Sequence, residues 1–194
     1  NEIVTFSHNA VFSIESGSTH IARQVGEQLT LEQCLYAVML ASANEVSNAV
    51  AEHVAGSVDK FADMMNAKAK ELGCENTHFV NANGLHNEDH YTSAYDMALI
   101  SKEAMKNETF RKITATKSYV IPKTNKAKEE FPIANHQQLL LGYKLTKRYE
   151  PCIGGKTGYT NAARNTLVSF ASKDGIDLIC VVMKSTPTDQ YKDT

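Results

Sequence analysis

Apolar residues recur with helical spacing through the first hundred positions and with strand spacing toward the end. Leu31, Leu35, Val38 and Met39 share one helical face behind Thr30-Leu31-Glu32-Gln33, a capping box in which Thr30 and Gln33 satisfy each other's free backbone N–H groups. A break at Ala41-Ser42-Ala43 separates this helix from a second. Val46, Ala49, Val50 and Val54 are expected inward on it, and Gly56 is its left-handed end. Ser57 then caps a third helix, whose Val58, Phe61, Ala62, Met65, Ala69 and Leu72 keep the 3.6-residue period until Gly73 stops it. A loop rich in Asn, Gly and His runs from Asn76 to His90. Thr92 or Ser93 starts a fourth helix through Met97, Ile100 and Ala104.

The tail changes period. Lys117 to Ile121 reads as a strand and Pro122 to Pro132 as an irregular polar loop. Ile153 to Thr160, Asn165 to Ser172 and Ile176 to Lys184 read as antiparallel strands, the last two joined by the hairpin signal Lys173-Asp174-Gly175. Helices first and an antiparallel sheet last predict an α+β fold. A chain of 194 residues, 42% hydrophobic, can build one domain with a real core. The expected organisation is a single domain over 1–194, mainly helical from about 25 to 115 and mainly sheet from about 117 to 187.

Composition removes several partners. The net charge is -2, and the densest basic patch, Lys123 to Lys128, runs straight into Glu129 and Glu130. That is a solvated loop rather than a nucleic-acid footprint, so no nucleic acid is expected. No apolar run is long enough to span a bilayer. Cys34, Cys74, Cys152 and Cys180 are widely spaced with no C-x-x-C pair, which argues against a zinc cage; Cys34 and Cys180 read as small core residues. The chain opens on Asn1-Glu2-Ile3-Val4-Thr5-Phe6 with no leader pattern, like the middle of a domain.

Two short motifs carry chemistry. Ser42-Ala43-Asn44 lies in the break between two helices, where both polar side chains can point into one cleft. The same residues would also suit a helix cap and a turn. In Gly154-Gly155-Lys156-Thr157-Gly158, glycines flank a charge and a hydroxyl on a strand. They would let a ligand backbone lie close, or they could mark a bulge. Lys156 and Thr157 together suit a carboxylate.

These motifs match the S-D-N and K-T-G elements of β-lactamases and penicillin-binding proteins. With them come Gly26-Glu27-Gln28-Leu29-Thr30, Ala51-Glu52-His53-Val54-Ala55-Gly56-Ser57, Asn83-Gly84-Leu85 and His90-Tyr91-Thr92-Ser93-Ala94-Tyr95-Asp96. Across nearly its whole length the chain resembles the low-molecular-weight penicillin-binding proteins that act as D-alanyl-D-alanine carboxypeptidases. The resemblance implies the β-lactamase/transpeptidase-like fold. It also implies a penicillin-sensitive serine peptidase that removes the terminal D-alanine from peptidoglycan stem peptides outside the cytoplasm, without a cofactor or metal. In that reading Ser42 relays a proton to the leaving amine with help from Lys156, and Asn44 holds the substrate amide. Thr157 binds the terminal carboxylate, and backbone N–H groups near Gly158 and Tyr159 serve the oxyanion. β-Lactams would occupy the same site, and any membrane anchor would lie outside this chain.

One element departs from the pattern. The family's nucleophile motif, S-x-x-K, should precede Ser42, and residues 1–41 hold none. The literal match, Ser57-Val58-Asp59-Lys60, follows Ser42 and is better read as a helix start. The expectation is an N-terminally truncated chain without its nucleophile and inactive by itself.

Three rivals come from other readings. A β-lactamase of the same fold would need a deacylating Glu in an E-x-x-x-N arrangement; Glu103 and Asn107 have that spacing but read as surface. His86-Asn87-Glu88-Asp89-His90 offers ligating side chains without an evident third partner from elsewhere, and His53 reads as a core histidine. A non-catalytic wall-binding fragment is the third.

Overall fold

The computed structural model describes residues 2–143 and 145–194. Asn1, the first residue of the opening read above, and Lys144 lie outside the described residues. The chain divides into two compact units, neither continuous in sequence. The first comprises 1–67, 79–90 and 118–134, the second 68–78, 91–117 and 135–194.

In the first unit, β1 (Ile3–Thr5) pairs antiparallel with β2 (Gln28–Thr30), and Val4, Phe6 and Leu29 are fully buried. α1 (His8–Phe12) follows β1, capped by the Ser7 hydroxyl on the Ala10 N–H. α2 (Leu31–Ala41) begins with the expected capping box and buries Cys34, Tyr36, Ala37 and Leu40. The Tyr36 ring stacks on Tyr119 with centroids 4.1 Å apart, which ties α2 to the hairpin of β3 (Ser118–Ile121) and β4 (Phe131–Ala134). β4 takes in the end of the predicted loop. Pro132, opposite Val120, is tolerated because this two-stranded hairpin has only edge strands.

α3 (Asn44–Ala55) ends at Gly56 in the left-handed conformation, as its sequence requires. Its buried face keeps Val46 and Ala49 inward as expected but also takes in polar residues. Glu45 and Asn48 point inward beside Val46 and Ala49, while Val54 is 49% exposed. Polar residues hold those positions because partners wait for them. Glu45 Oε1 accepts the Ile21 N–H at 2.8 Å, and Asn48 bonds Ser13 and Asn83. Hydrophobic periodicity cannot see this exchange. α4 (Val58–Glu71) buries Ala62 and Ala69.

In the second unit, α5 (Ala94–Ala104) is capped by Ser93 and buries Asp96, whose carboxylate accepts the Asn76 N–H and the Thr77 hydroxyl, each at 2.7 Å. The Thr77 hydroxyl, ahead of the Asn76 N–H, holds the Asp96 carboxyl below its ordinary range. α6 (Glu108–Ala115) and α7 (Gln138–Leu141) precede a sheet in the order β5 (Cys152–Thr160), β6 (Arg164–Lys173), β7 (Ile176–Ser185), antiparallel throughout. Asp174 and Gly175 both take positive φ in the tight turn between β6 and β7. Leu139, Leu140, Cys152, Leu167 and Tyr191 form a buried cluster, and α8 (Asp189–Lys192) supplies Tyr191. All four cysteines are free thiols. Cys34 is buried in α2, and burial pushes it up to about 12, while Cys180 is only half-buried on β7.

Candidate active site

Ser42 and Asn44 meet at the joint between α2 and α3. Ser42 is the C-cap of α2, in a left-handed conformation with φ 54° and ψ 40°, and its N–H reaches back to the Ala37 carbonyl. A serine gains nothing sterically there; such a residue costs about 1 to 3 kcal/mol and is held by its surroundings. The surroundings are firm. Ala43 is fully buried, and the Asn44 N–H donates to the Thr19 carbonyl at 3.1 Å. Ala43, the N-cap of α3, has no side-chain hydrogen bond to give, so Ser42 is not the cap of the following helix. Asn44 itself is 8% exposed, fixed in the first turn of α3.

Lys156, Thr157, Gly158 and Tyr159 lie in sequence on β5, which among the described residues has a strand partner on one side only. The register sets Lys156 opposite Val168, Thr157 opposite Leu167, Gly158 opposite Thr166 and Tyr159 opposite Asn165. Successive side chains therefore alternate faces, with Lys156 on one and Thr157 and Tyr159 on the other. The Lys156 ammonium donates to the Thr157 carbonyl at 2.8 Å, and burial pulls its pKa down to about 8. Tyr159 is 60% exposed and its hydroxyl donates to Asn161 at 3.1 Å.

The glycines have a different use from the one their spacing suggested. A Cβ on Gly155 would stand 2.3 Å from the Val168 carbonyl oxygen and 2.4 Å from Gln137 Nε2. One on Gly154 would stand 2.8 Å from the Thr114 hydroxyl. The protein's own segments take the space that a ligand backbone was expected to fill. A register shift between Cys152 and Gly154 marks an irregularity in the strand, as the bulge reading anticipated.

Sequence patterns missed His136. It precedes the fully buried Gln137, whose side chain packs at Gly155 and donates to the Ser169 hydroxyl at 3.0 Å. Burial, and after it the Lys156 charge, lower the His136 pKa. The signal in the sequence was the polar run Asn135-His136-Gln137, which has no chemical signature of its own.

The rival residues have local work. Glu103 bonds Lys106 at 2.6 Å, and Asn107 caps α6 through the Phe110 N–H, which leaves no water-activating pair. His90 Nδ1 accepts the Val80 N–H, and its ring packs on Phe79. Among the described residues no three His, Cys, Asp or Glu side chains are grouped to hold a metal ion. His53 is half-buried, with Nε2 2.9 Å from the Glu2 carboxylate, an ion-pair distance without hydrogen-bond alignment. Ser57 accepts the Lys60 N–H at 3.2 Å as the cap of α4, and Lys60 is exposed. Ser57→Ala should lower stability by about 1 kcal/mol in denaturant unfolding. It should leave penicillin labelling of any active longer form unchanged.

The fold is that of the penicillin-binding DD-peptidases. The Streptomyces K15 DD-transpeptidase matches all of this chain with a TM-score of 0.86 at 28% identity, over 75% of its own length. A D-alanyl-D-alanine carboxypeptidase from Mycobacterium tuberculosis matches 95% of the chain at 0.83 and 34%, over 66% of its length. The sequence profile of the D-alanyl-D-alanine carboxypeptidase family matches residues 1–187, and the chain belongs to that family. Among curated relatives, DacF of Bacillus subtilis is 40% identical over 176 residues, which is 90% of this chain and 43% of that protein. DacA of Escherichia coli is 33% identical over 175 residues, 90% of this chain and 40% of that protein. The chain spans about half the length of the curated relatives it matches, or less.

Proposed function

We propose that this chain is the motif-bearing part of a penicillin-sensitive serine D-Ala-D-Ala carboxypeptidase acting on peptidoglycan stem peptides outside the cytoplasm. The observation that carries the reading is Lys156: a half-buried lysine on an outer strand, its pKa pulled to about 8 and its ammonium donating to the Thr157 carbonyl. At neutral pH it stays mostly charged, so it can draw a carboxylate, yet it exchanges a proton near working pH. Thr157 donates to that carboxylate, and the backbone N–H groups near Gly158 and Tyr159 serve the oxyanion. β5, with one side free of a strand partner, suits an extended peptide laid along it.

Ser42 passes a proton to the departing D-alanine amine, and Asn44 holds the substrate's amide. The strained backbone at Ser42 supports this, because a conformation with no local benefit to serine is kept where the side chain is wanted. The attacking serine comes from an S-x-x-K motif elsewhere in the whole enzyme. It forms an ester with the penultimate D-alanine carbonyl, releases D-alanine and is freed by water. Neither a metal nor a cofactor enters this scheme.

The test is made in a longer form of the protein that labels with penicillin. Thr157→Val should slow both D-Ala-D-Ala cleavage and penicillin acylation by about ten- to a hundredfold. That is the loss of one hydrogen bond to a charged group, about 1.5 to 3 kcal/mol. Unchanged rates would remove Thr157, and the carboxylate role with it, from the site.

A further inference from the structure

The first unit contains an open cavity of about 370 Å³, within the roughly 300–1,000 Å³ of small-ligand sites. Its lining comes from α1 and the turn after it, from α3, from the start of α4 and from the loop at 80–87. Asn48 on α3, 3% exposed, is the most deeply buried residue of that lining, and it ties the pieces together. Its Nδ2 donates to the Ser13 hydroxyl at 3.1 Å, and its Oδ1 accepts from Asn83 Nδ2 at 3.1 Å. Asn83 Oδ1 in turn accepts the Leu85 N–H at 3.0 Å, and Asn81 bonds the Gly84 N–H and the Leu85 carbonyl. The polar wall is therefore set before any ligand arrives, which lowers the ordering cost of binding.

The exposed part of the lining has hydrogen-bonding capacity to spare. Asn9 gives its Nδ2 to Glu52 at 2.7 Å, and Asn87 lends its Oδ1 to the Asp89 N–H at 2.9 Å. That leaves Asn9 Oδ1 as an acceptor and Asn87 Nδ2 as a donor without partners among the described residues. Ser13 accepts from Asn48, so its hydroxyl hydrogen remains to donate. The Glu15 and Asp59 carboxyls have no hydrogen bond among the described residues either, and a carboxyl oxygen accepts in both protonation states. All five of these side chains lie on exposed residues, within a ligand's reach, and Val58, Val80 and Leu85 add half-buried apolar surface to the same cavity. The lining has neither Lys nor Arg to hold a phosphate or a carboxylate. Among the described residues no three ligating side chains are grouped for a metal ion. What suits it is a neutral ring rich in hydroxyl and amide groups, which donate and accept side by side as the asparagines do.

We propose that this cavity binds an acetamido sugar, one ring of a glycan chain, with Asn9, Ser13, Asp59 and Asn87 bonding its polar groups and Val58, Val80 and Leu85 covering its carbon face. The hydroxyl-binding chemistry comes from the lining alone. The acetamido group rests on the carboxypeptidase reading, because the stem peptides of peptidoglycan hang from a strand of acetamido sugars.

The test is saturation-transfer NMR on the longer, penicillin-labelling form of the protein with N,N′,N″-triacetylchitotriose, read at its acetamido methyl protons. Maltotriose, with similar rings and hydroxyls but no acetamido group, is the comparator. The expected result is a saturable methyl signal and binding of maltotriose about tenfold weaker, the worth of one or two hydrogen bonds. Asn87→Ala and Asp59→Ala, both at exposed positions, should each weaken triacetylchitotriose binding about two- to tenfold, the loss of one hydrogen bond. A melting temperature near that of the wild type shows that a variant is folded, and either one decides the matter if the other is not. No methyl saturation would overturn the proposal, as would equal affinity for maltotriose or an affinity unchanged in a folded variant. The same preparation labels with penicillin, so absent sugar binding overturns this site and leaves the peptidase reading standing. The Thr157→Val test, in turn, succeeds or fails without touching the cavity.

Discussion

Incubated with a fluorescent penicillin and run on a denaturing gel, the 194-residue chain is expected to stay unlabelled, and it should release no D-alanine from a D-Ala-D-Ala peptide. Serine catalysis needs a base within hydrogen-bond reach of the hydroxyl. The chain contains one Ser-x-x-Lys sequence, and its parts are engaged otherwise: Ser57 caps α4, and Lys60 is exposed. Ser42 has Glu45 three residues on in place of a lysine, and that carboxylate is already accepting from the Ile21 and Arg23 N–H groups. The expected contrast is all or nothing. A longer form that adds an S-x-x-K motif ahead of Ser42 should label and should lose the label when its serine is replaced by alanine. A labelled band at 21.4 kDa would instead place the nucleophile within this chain.

Much of the fold was legible because its signals are local. The capping box at Thr30 and Gln33, the left-handed Gly56, the Ser93 cap and the Asp174-Gly175 turn are each set by a few neighbouring side chains. Each stands where its residues placed it. Features decided across the chain were not legible. Val54 continues the apolar period of α3, yet Glu45 and Asn48 took the inward face because distant groups, the Ile21 N–H and Asn83, lay ready to pair with them. α6 went unread although its eight residues, Glu108–Ala115, are amphipathic, with Phe110 and Ile113 one turn apart behind the Asn107 cap; two apolar turns are too short a stretch to stand out beside α5. The glycines before Lys156 announced a close approach correctly, but sequence could not say that Gln137 and Thr114 are what approaches. Ser42 and Lys156 were legible as motif residues; the left-handed strain of one and the depressed pKa of the other belong to the packed protein alone.

Between pH 7 and pH 10, acylation by penicillin and folding stability should move in opposite directions, with Lys156 as the common cause. Burial lowers its pKa from the ordinary lysine value of 10.5 to about 8 in the folded protein. Over the window from about 8 to 10.5 the unfolded chain therefore holds a proton that the folded one has released. Stability from this group accordingly rises with pH through that window and is lowest below about 8, where both states are charged. In the proposed role of Lys156, acylation needs the charge. As pH climbs through about 8, the ammonium that draws the ligand carboxylate disappears, and the acylation rate in a penicillin-labelling longer form should fall with an apparent pKa near 8. Lys156→Ala should cost that form about 10²- to 10⁴-fold in acylation at pH 7, the usual worth of a positioned proton-transfer group. It should also remove the alkaline fall while relieving the cost of burying a charge. Lys156→Arg separates the two roles, since a guanidinium keeps its charge past pH 10 but exchanges no proton. If charge alone matters, the arginine variant retains activity and loses the pH 8 limb; if proton transfer matters, it is as slow as alanine at every pH. A wild-type rate that stays level from pH 7 to pH 10 would show that Lys156 is not the cation on which acylation depends.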